Sequence, residues 1–204
     1  MATDTFTFLS IPTPISWLNE PVFVGIDPQG SALRIGAGPQ TDWFIDPAGG
    51  EPKTNAPIAL FAPPDPICRM SAKITVDFAA TYDAGVLFIF ADRTHWAKLC
   101  FEYSPQHRPS VVSVVTRGTS DDCNSLTLPD NSVFLRIYRQ GQIFAFHASA
   151  DGNFWQLIRY FGLDTEGEIR FGFLVQSPTG SGVIADFSSV RYQKHKLEDL
   201  RGGE

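Results

Sequence analysis

The stretch Cys68-Arg69-Met70-Ser71-Ala72-Lys73-Ile74-Thr75-Val76-Asp77-Phe78 sets apolar Met70, Ala72, Ile74, Val76 and Phe78 against polar Arg69, Ser71, Lys73, Thr75 and Asp77. A period of two over eleven residues describes a strand with one face in a core and the other toward polar surroundings. The same alternation recurs down the chain and predicts strands over 85–91, 96–103, 109–117, 133–139, 142–148, 154–160, 168–176 and 183–192. Gln140-Gly141 and Asp151-Gly152 supply tight turns, and Ser177-Pro178-Thr179-Gly180-Ser181-Gly182 a longer one. No window of twelve residues keeps a helical period. The expectation is therefore an all-β, antiparallel two-sheet jelly-roll sandwich. Residues 1–193 form a single domain in this reading and 194–204 a charged tail, with helix confined to a turn or to that tail.

Upstream, residues 1–66 are broken by Pro and Gly, and only Trp17-Leu18-Asn19-Glu20-Pro21, Leu33-Arg34-Ile35 and Trp43-Phe44 suggest short strands. Asp46-Pro47-Ala48-Gly49-Gly50-Glu51-Pro52-Lys53-Thr54-Asn55 reads as a long loop, either a plain connection or the rim of a site.

Bulk properties exclude several classes. With 204 residues and a net charge of −6, the chain lacks the basic stripe that phosphate backbones require, so no nucleic-acid partner is expected. The N-terminal residues carry no secretory pattern and no segment is apolar enough to span a bilayer, so no membrane partner and a cytoplasmic location are expected. Cys68, Cys100 and Cys123 are too widely spaced for a zinc or redox motif and read as free thiols. His95, His107, His147 and His195 share no short spacing, so neither a metal nor any other cofactor is expected; His147, between Phe144, Phe146 and their neighbours, reads as structural. Exposed edge strands are compatible with a homodimer.

The chemistry concentrates in Trp96-Ala97-Lys98-Leu99-Cys100-Phe101-Glu102. As a strand it sends Trp96, Lys98 and Glu102 to one face and Ala97, Leu99 and Phe101 to the other. An indole, an ammonium and a carboxylate on one face can grip a small molecule, though an aromatic beside a surface ion pair gives the same pattern. Lys98 and Glu102 are the candidate catalytic groups. Trp96, Trp43, Arg69, Lys73, Thr116, Tyr138, Gly172 and Gln176 are the candidate substrate contacts. Gly172 enters because a missing side chain in mid-strand marks close approach by another group. Asp164, Glu166 and Glu168 alone alternate like a hydrolytic carboxylate pair, but Gly162 and Gly167 place them in a loop of solvated acids.

Tyr82-Asp83-Ala84-Gly85-Val86-Leu87, Trp96-Ala97-Lys98 with Glu102-Tyr103, Ser113-Val114-Val115-Thr116-Arg117 and Leu135-Arg136 form an ordered set. It continues through Ala148-Ser149-Ala150-Asp151-Gly152-Asn153-Phe154-Trp155-Gln156 with Arg159, and Gln176-Ser177-Pro178-Thr179-Gly180-Ser181-Gly182 before Asp186-Phe187. The set, within residues 17–192, resembles a family of concanavalin-A-like domains that includes the fungal regulation-of-enolase proteins. That resemblance implies a jelly roll with one concave sheet, on which relatives bind or cleave glycans. The chain also resembles fungal hetero-Diels-Alderases of tropolone sesquiterpenoid biosynthesis. This second resemblance implies a cofactor-independent cyclase or cycloaddition enzyme acting on an apolar or aromatic small molecule in a pocket on the concave sheet. The alternative is a non-catalytic glycan- or metabolite-binding or regulatory module, and a glycan hydrolase is third. For a cycloaddition, Lys98 would donate to a carbonyl that gains electron density, Glu102 would orient it and Trp96 would stack on a ring.

Overall fold

Period-two patterning leaves strands as the only regular structure in the described residues, 5–8 and 10–204, of this computed structural model. The strands are β1 (Thr5–Phe6), β2 (Ile15–Leu18), β3 (Phe23–Ile26), β4 (Leu33–Ala37), β5 (Trp43–Phe44), β6 (Lys53–Thr54), β7 (Ile58–Phe61), β8 (Ile67–Val76) and β9 (Ala84–Phe90). They continue as β10 (His95–Tyr103), β11 (Pro109–Arg117), β12 (Thr119–Thr127), β13 (Ser132–Gln140), β14 (Ile143–Ser149), β15 (Gln156–Gly162), β16 (Arg170–Gln176) and β17 (Val183–Gln193). An eight-stranded sheet runs β1-β2-β7-β16-β9-β10-β11-β12, and a seven-stranded sheet runs β15-β14-β13-β8-β17-β4-β3. Both are antiparallel and pack as a jelly-roll sandwich, the expected fold. Among the described residues no helix is long and apolar enough to cross a membrane.

The inward faces carry the alternation read from sequence. Met70, Ala72, Ile74 and Val76 of β8 meet Leu87 and Ile89 of β9, Ala97, Leu99 and Phe101 of β10, and Phe171, Phe173 and Val175 of β16 in one buried cluster. The sheets come very close at Gly85. A Cβ there would lie 2.6 Å from Cγ2 of Ile74 and 3.0 Å from Cβ of Ala185 on the opposite sheet.

Two further apolar clusters lie outside the sandwich. On the outer face of the eight-stranded sheet, Val86, Phe88, Phe90, Trp96, Cys100, Val112, Val114 and Leu174 are roofed by Trp43 and Ala56 of the segment 41–56. This is the long loop of the sequence, and it folds back as the two-stranded β5–β6 hairpin. On the outer face of the seven-stranded sheet, Tyr138 and Ala145 are covered by Leu197. Residues 194–204 are therefore not a free charged helix. They hold no helix, and His147 Nε2 donates to the Leu200 carbonyl at 2.8 Å. Burial pushes the His147 pKa down to about 4, as suits a neutral structural imidazole. All three cysteines are free thiols.

Substituting Gly85→Ala drives a methyl into the opposite sheet, and overpacking of this kind costs about 1–3 kcal/mol. Urea unfolding should show a lowered midpoint with an unchanged slope. An unchanged midpoint would mean that the sheets can separate freely at this point.

Candidate active site

Register builds the site. On β10 the residues facing out are Trp96, Lys98, Cys100 and Glu102, while Ala97, Leu99 and Phe101 enter the inter-sheet core, as the alternation predicts. Across the sheet Gln176, Ala84 and Glu102 form one row, and Phe88, Lys98, Val114 and Asp122 form another four residues along. Ala84, short between two long polar side chains, is itself fully buried in the outer apolar cluster. These rows border a cavity of about 330 Å³ lined by Lys98, Glu102, Gln176, Val112, Val114 and Asp122 from the sheet. Asp42 and Phe44 of the hairpin segment and Tyr82, Pro178 and Thr179 of two loops make its walls.

The loops are tied to one another. Buried Asp83 accepts from the Ala79 and Ala80 amides at 3.0 and 2.7 Å and from the Ser177 hydroxyl at 2.6 Å. The Thr179 hydroxyl donates to the Thr81 carbonyl at 2.6 Å. Thr41 and Ser177 exchange backbone and hydroxyl bonds, which brings Asp42 over the sheet.

Lys98 is 2% exposed. Its Nζ donates to Gln176 Oε1 at 3.1 Å and lies 3.4 Å from Asp42 Oδ1, with the Trp96 and Phe44 ring centroids 5.8 and 5.9 Å away. Burial works to discharge this amine, but the negative charges around it, Asp42 first, win and hold its pKa above the ordinary lysine value. Glu102 makes no hydrogen bond among the described residues. Burial pushes its pKa up to about 7, against the pull of Lys98 and with help from Asp42 and Asp122. A lysine held charged thus sits beside a carboxyl group poised near neutrality.

The structure brings Lys98, Glu102 and Gln176 together and separates the other candidates. Asp42 and Gln176, rather than Glu102, hold Lys98 in place. Trp96 is not a ligand plate: its ring is fully buried, stacked on Phe88 at 5.7 Å and edge-on to Trp43 at 6.1 Å. Trp43 is itself buried, its Nε1 donating to the Ala56 carbonyl at 3.1 Å, so it roofs the sheet beside the cavity without lining it. Thr116 shares a hydrogen bond with the Ser120 hydroxyl at 2.9 Å, and Ser120 in turn receives the Ile45 amide, so Thr116 anchors the hairpin segment. Gly172 makes room for protein: a Cβ there would fall 2.5 Å from the Ala59 carbonyl oxygen and 2.8 Å from Leu60. Arg69 and Lys73 on β8, and Tyr138 on β13, belong to the other sheet and are not neighbours of Lys98. Asp164, Glu166 and Glu168 are exposed in the loop after β15.

Sequence reasoning missed Asp42, Phe44, Tyr82, Asp122, Pro178 and Thr179. Asp122 lies on β12, where Thr119-Ser120-Asp121-Asp122-Cys123-Asn124 hides a strand because nearly every residue is polar and exposed. The available signal was Gly118, whose φ of 81° turns β11 directly back into β12.

A model of the family described as "Protein of unknown function (DUF1349)" matches residues 17–195. The chain belongs to that family. No curated protein matches it at a significant level. Among solved structures, a functionally unknown protein from Saccharomyces cerevisiae superposes with a TM-score of 0.80 at 18% identity, over 90% of this chain and 97% of that one. A mutant of the GH43 protein BlXynB from Bacillus licheniformis gives 0.71 at 14% identity, over 95% of this chain and 38% of its own. Xylan beta-1,4-xylosidase from Bacillus halodurans C-125 gives 0.67 at 15% identity, over 87% of this chain and 36% of its own. At these identities the likeness is one of fold. The DUF1349 family carries no described activity, and these comparisons lend the hetero-Diels-Alder resemblance no support.

The Glu102 shift fixes a pH dependence. Between about pH 4.5 and 7 the folded chain holds a proton that the unfolded chain has lost, so this group's stabilising share is full below the lower value and lost as pH rises through the upper. Glu102→Gln, permanently neutral, should match the wild-type stability near pH 4 and exceed it near pH 8 by roughly 1–3 kcal/mol, read from melting curves. Parallel melting curves for the two proteins across that range would show that Glu102 is ordinarily solvated.

Proposed function

We propose that the DUF1349 chain binds one small polyhydroxylated molecule, a saccharide ring or a metabolite of similar chemistry, in the cavity over Lys98. The observation that carries this reading is the lining itself: an ammonium, an amide and three carboxyl groups interleaved with the rings of Phe44 and Tyr82. Carboxylates and the amide oxygen accept from hydroxyls, Lys98 and the amide nitrogen donate, and the flat rings cover the C–H faces of a sugar. Solved structures similar in fold to this chain include a GH43 protein and a xylan beta-1,4-xylosidase, which agrees with a saccharide without assigning one.

A cavity of about 330 Å³ stands at the low end of the roughly 300–1,000 Å³ range of small-molecule sites, enough for one ring-sized ligand. The cycloaddition reading needs two apolar reactants side by side and a free donor for the activated carbonyl. Lys98 is instead committed to Gln176 and Asp42, with Asp42, Glu102 and Asp122 lining the cavity beside Phe44, Val112 and Val114. A second reading, cleavage of a glycosidic bond, rests on one observation: Glu102, with its pKa near 7, has the protonation expected of a general acid, with Asp42 and Asp122 lining the same cavity.

Calorimetric titration with xylose, xylobiose, glucose and galactose should find binding by at least one of them. Tyr82→Ala, at a 39% exposed position, should weaken it about fivefold or more while the fold persists. Release of reducing sugar from xylobiose, abolished in Glu102→Gln, would establish cleavage. Absence of saccharide binding together with turnover of a quinone methide and a terpene alkene would restore the cyclase reading.

A further inference from the structure

On the opposite side of the sandwich, the seven-stranded sheet turns three arginines toward one hollow. Arg191 of β17, Ser71 of β8 and Arg136 of β13 lie in one row, and Arg69 stands two residues along β8. Ser71, the short residue at the centre, leaves a cavity of about 270 Å³ lined also by Asn153, Trp155 and Gln193. A bulge in β17 puts Arg191 there. Three steps from Ser188 to Arg191 span only two from Lys73 to Ser71, with Ser189 at a φ of 50°. The extra residue turns Val190 into the core and Arg191 outward, and a bulge that re-aims a side chain is a recurrent device near sites.

Among the described residues these guanidinium groups form no salt bridge. Arg34 and Arg159 bind carboxylates at 2.6 and 2.8 Å. Among the described residues no carboxylate comes within 4.0 Å of Arg69, Arg136 or Arg191. Asp151 lines the hollow, but its Oδ1 accepts from the Asn153 and Phe154 amides and the Ser149 hydroxyl of its own loop. Arg69 donates only to Gln193 Oε1, at 2.8 Å. Arg136 is 2% exposed, lies 4.3 Å over the Trp155 ring and gives Nη2 to the Gly203 carbonyl at 2.7 Å, while its buried Nε donates to nothing. A buried cation with an idle donor and no counter-charge is costly, and the surplus of donors fits an oxyanion brought from outside.

We propose that this hollow is a second ligand site, which takes the phosphate or sulfate group of a small molecule between Arg69, Arg136 and Arg191. The Ser71 hydroxyl supplies a further hydrogen bond. The site is independent of the saccharide reading, since it shares no residue with the cavity over Lys98.

The test is calorimetry with inorganic phosphate, inorganic sulfate, glucose 6-phosphate, glucose 6-sulfate and glucose on the wild type, Arg69→Gln and Arg191→Gln. The two arginines in these variants are partly or fully exposed, so the fold should survive, and Arg34→Gln on the same sheet serves as a charge control. The expected result is binding of at least one anionic probe, weakened about tenfold by Arg69→Gln and by Arg191→Gln and unaffected by Arg34→Gln. Whether phosphates or sulfates bind more tightly decides the source of the group. The proposal falls if no anionic probe binds at about 10 mM, a weak limit on the affinity scale. It also falls if either site variant binds like the wild type, or if a DNA duplex binds while the small anions do not.

Discussion

The interaction on which the rest of this structure depends is the burial of an apolar sheet face that points away from the sandwich core. Val86, Phe88, Phe90, Trp96, Val112, Val114 and Leu174 would all meet water if the eight-stranded sheet had only its partner sheet for cover. Residues 41–56 supply the cover. Trp43 inserts edge-on between Phe88, Phe90 and Trp96, and the segment is fastened by Ser120 to the Ile45 backbone and by Asn19 to the Thr54 and Ala56 carbonyls. The cavity begins where this roof ends, at Phe44 and Asp42. A lysine with 2% exposure is tolerable there because the same roof brings its counter-charge.

Much of this was legible in the chain. The alternations in β8, β10 and β16 fixed which side chains face the core, because one buried face imposes a period of two. Lys98, Glu102 and Gln176 could be placed on outer faces for that reason. What hydropathy does not encode is strand order. Arg69 and Lys73 alternate as cleanly as Lys98, yet β8 pairs with β13 and β17 while β10 pairs with β9 and β11. Outward residues of the two strands therefore sit on opposite sides of the molecule. Tyr138 failed for the same reason, and Trp96 because a roof from residues 41–56 cannot be read from a stretch of Pro and Gly.

Charge is sorted along with position. The cavity over Lys98 gathers Asp42, Glu102 and Asp122, while the hollow on the other sheet gathers Arg69, Arg136 and Arg191. A net charge of −6 conceals this separation, since an average over the chain says nothing of fields confined to one face. Excluding a nucleic-acid backbone by overall charge leaves room for a single anionic group in a hollow lined by three arginines.

Both hollows obey one rule of construction. Across a sheet, neighbouring side chains stand close together, so a row of long residues closes over itself and a short one opens a gap. Ala84 stands short between Gln176 and Glu102, and Ser71 lines the gap between Arg191 and Arg136. The flanking polar groups are then held by backbone pairing rather than by flexible loops, which spares the entropy that ordering them on binding would cost. Chemistry can differ between the two faces while the sandwich stays the same, because the inward residues hold the two sheets together, and outward positions beyond the roofed apolar cluster carry acids on one side and guanidinium groups on the other.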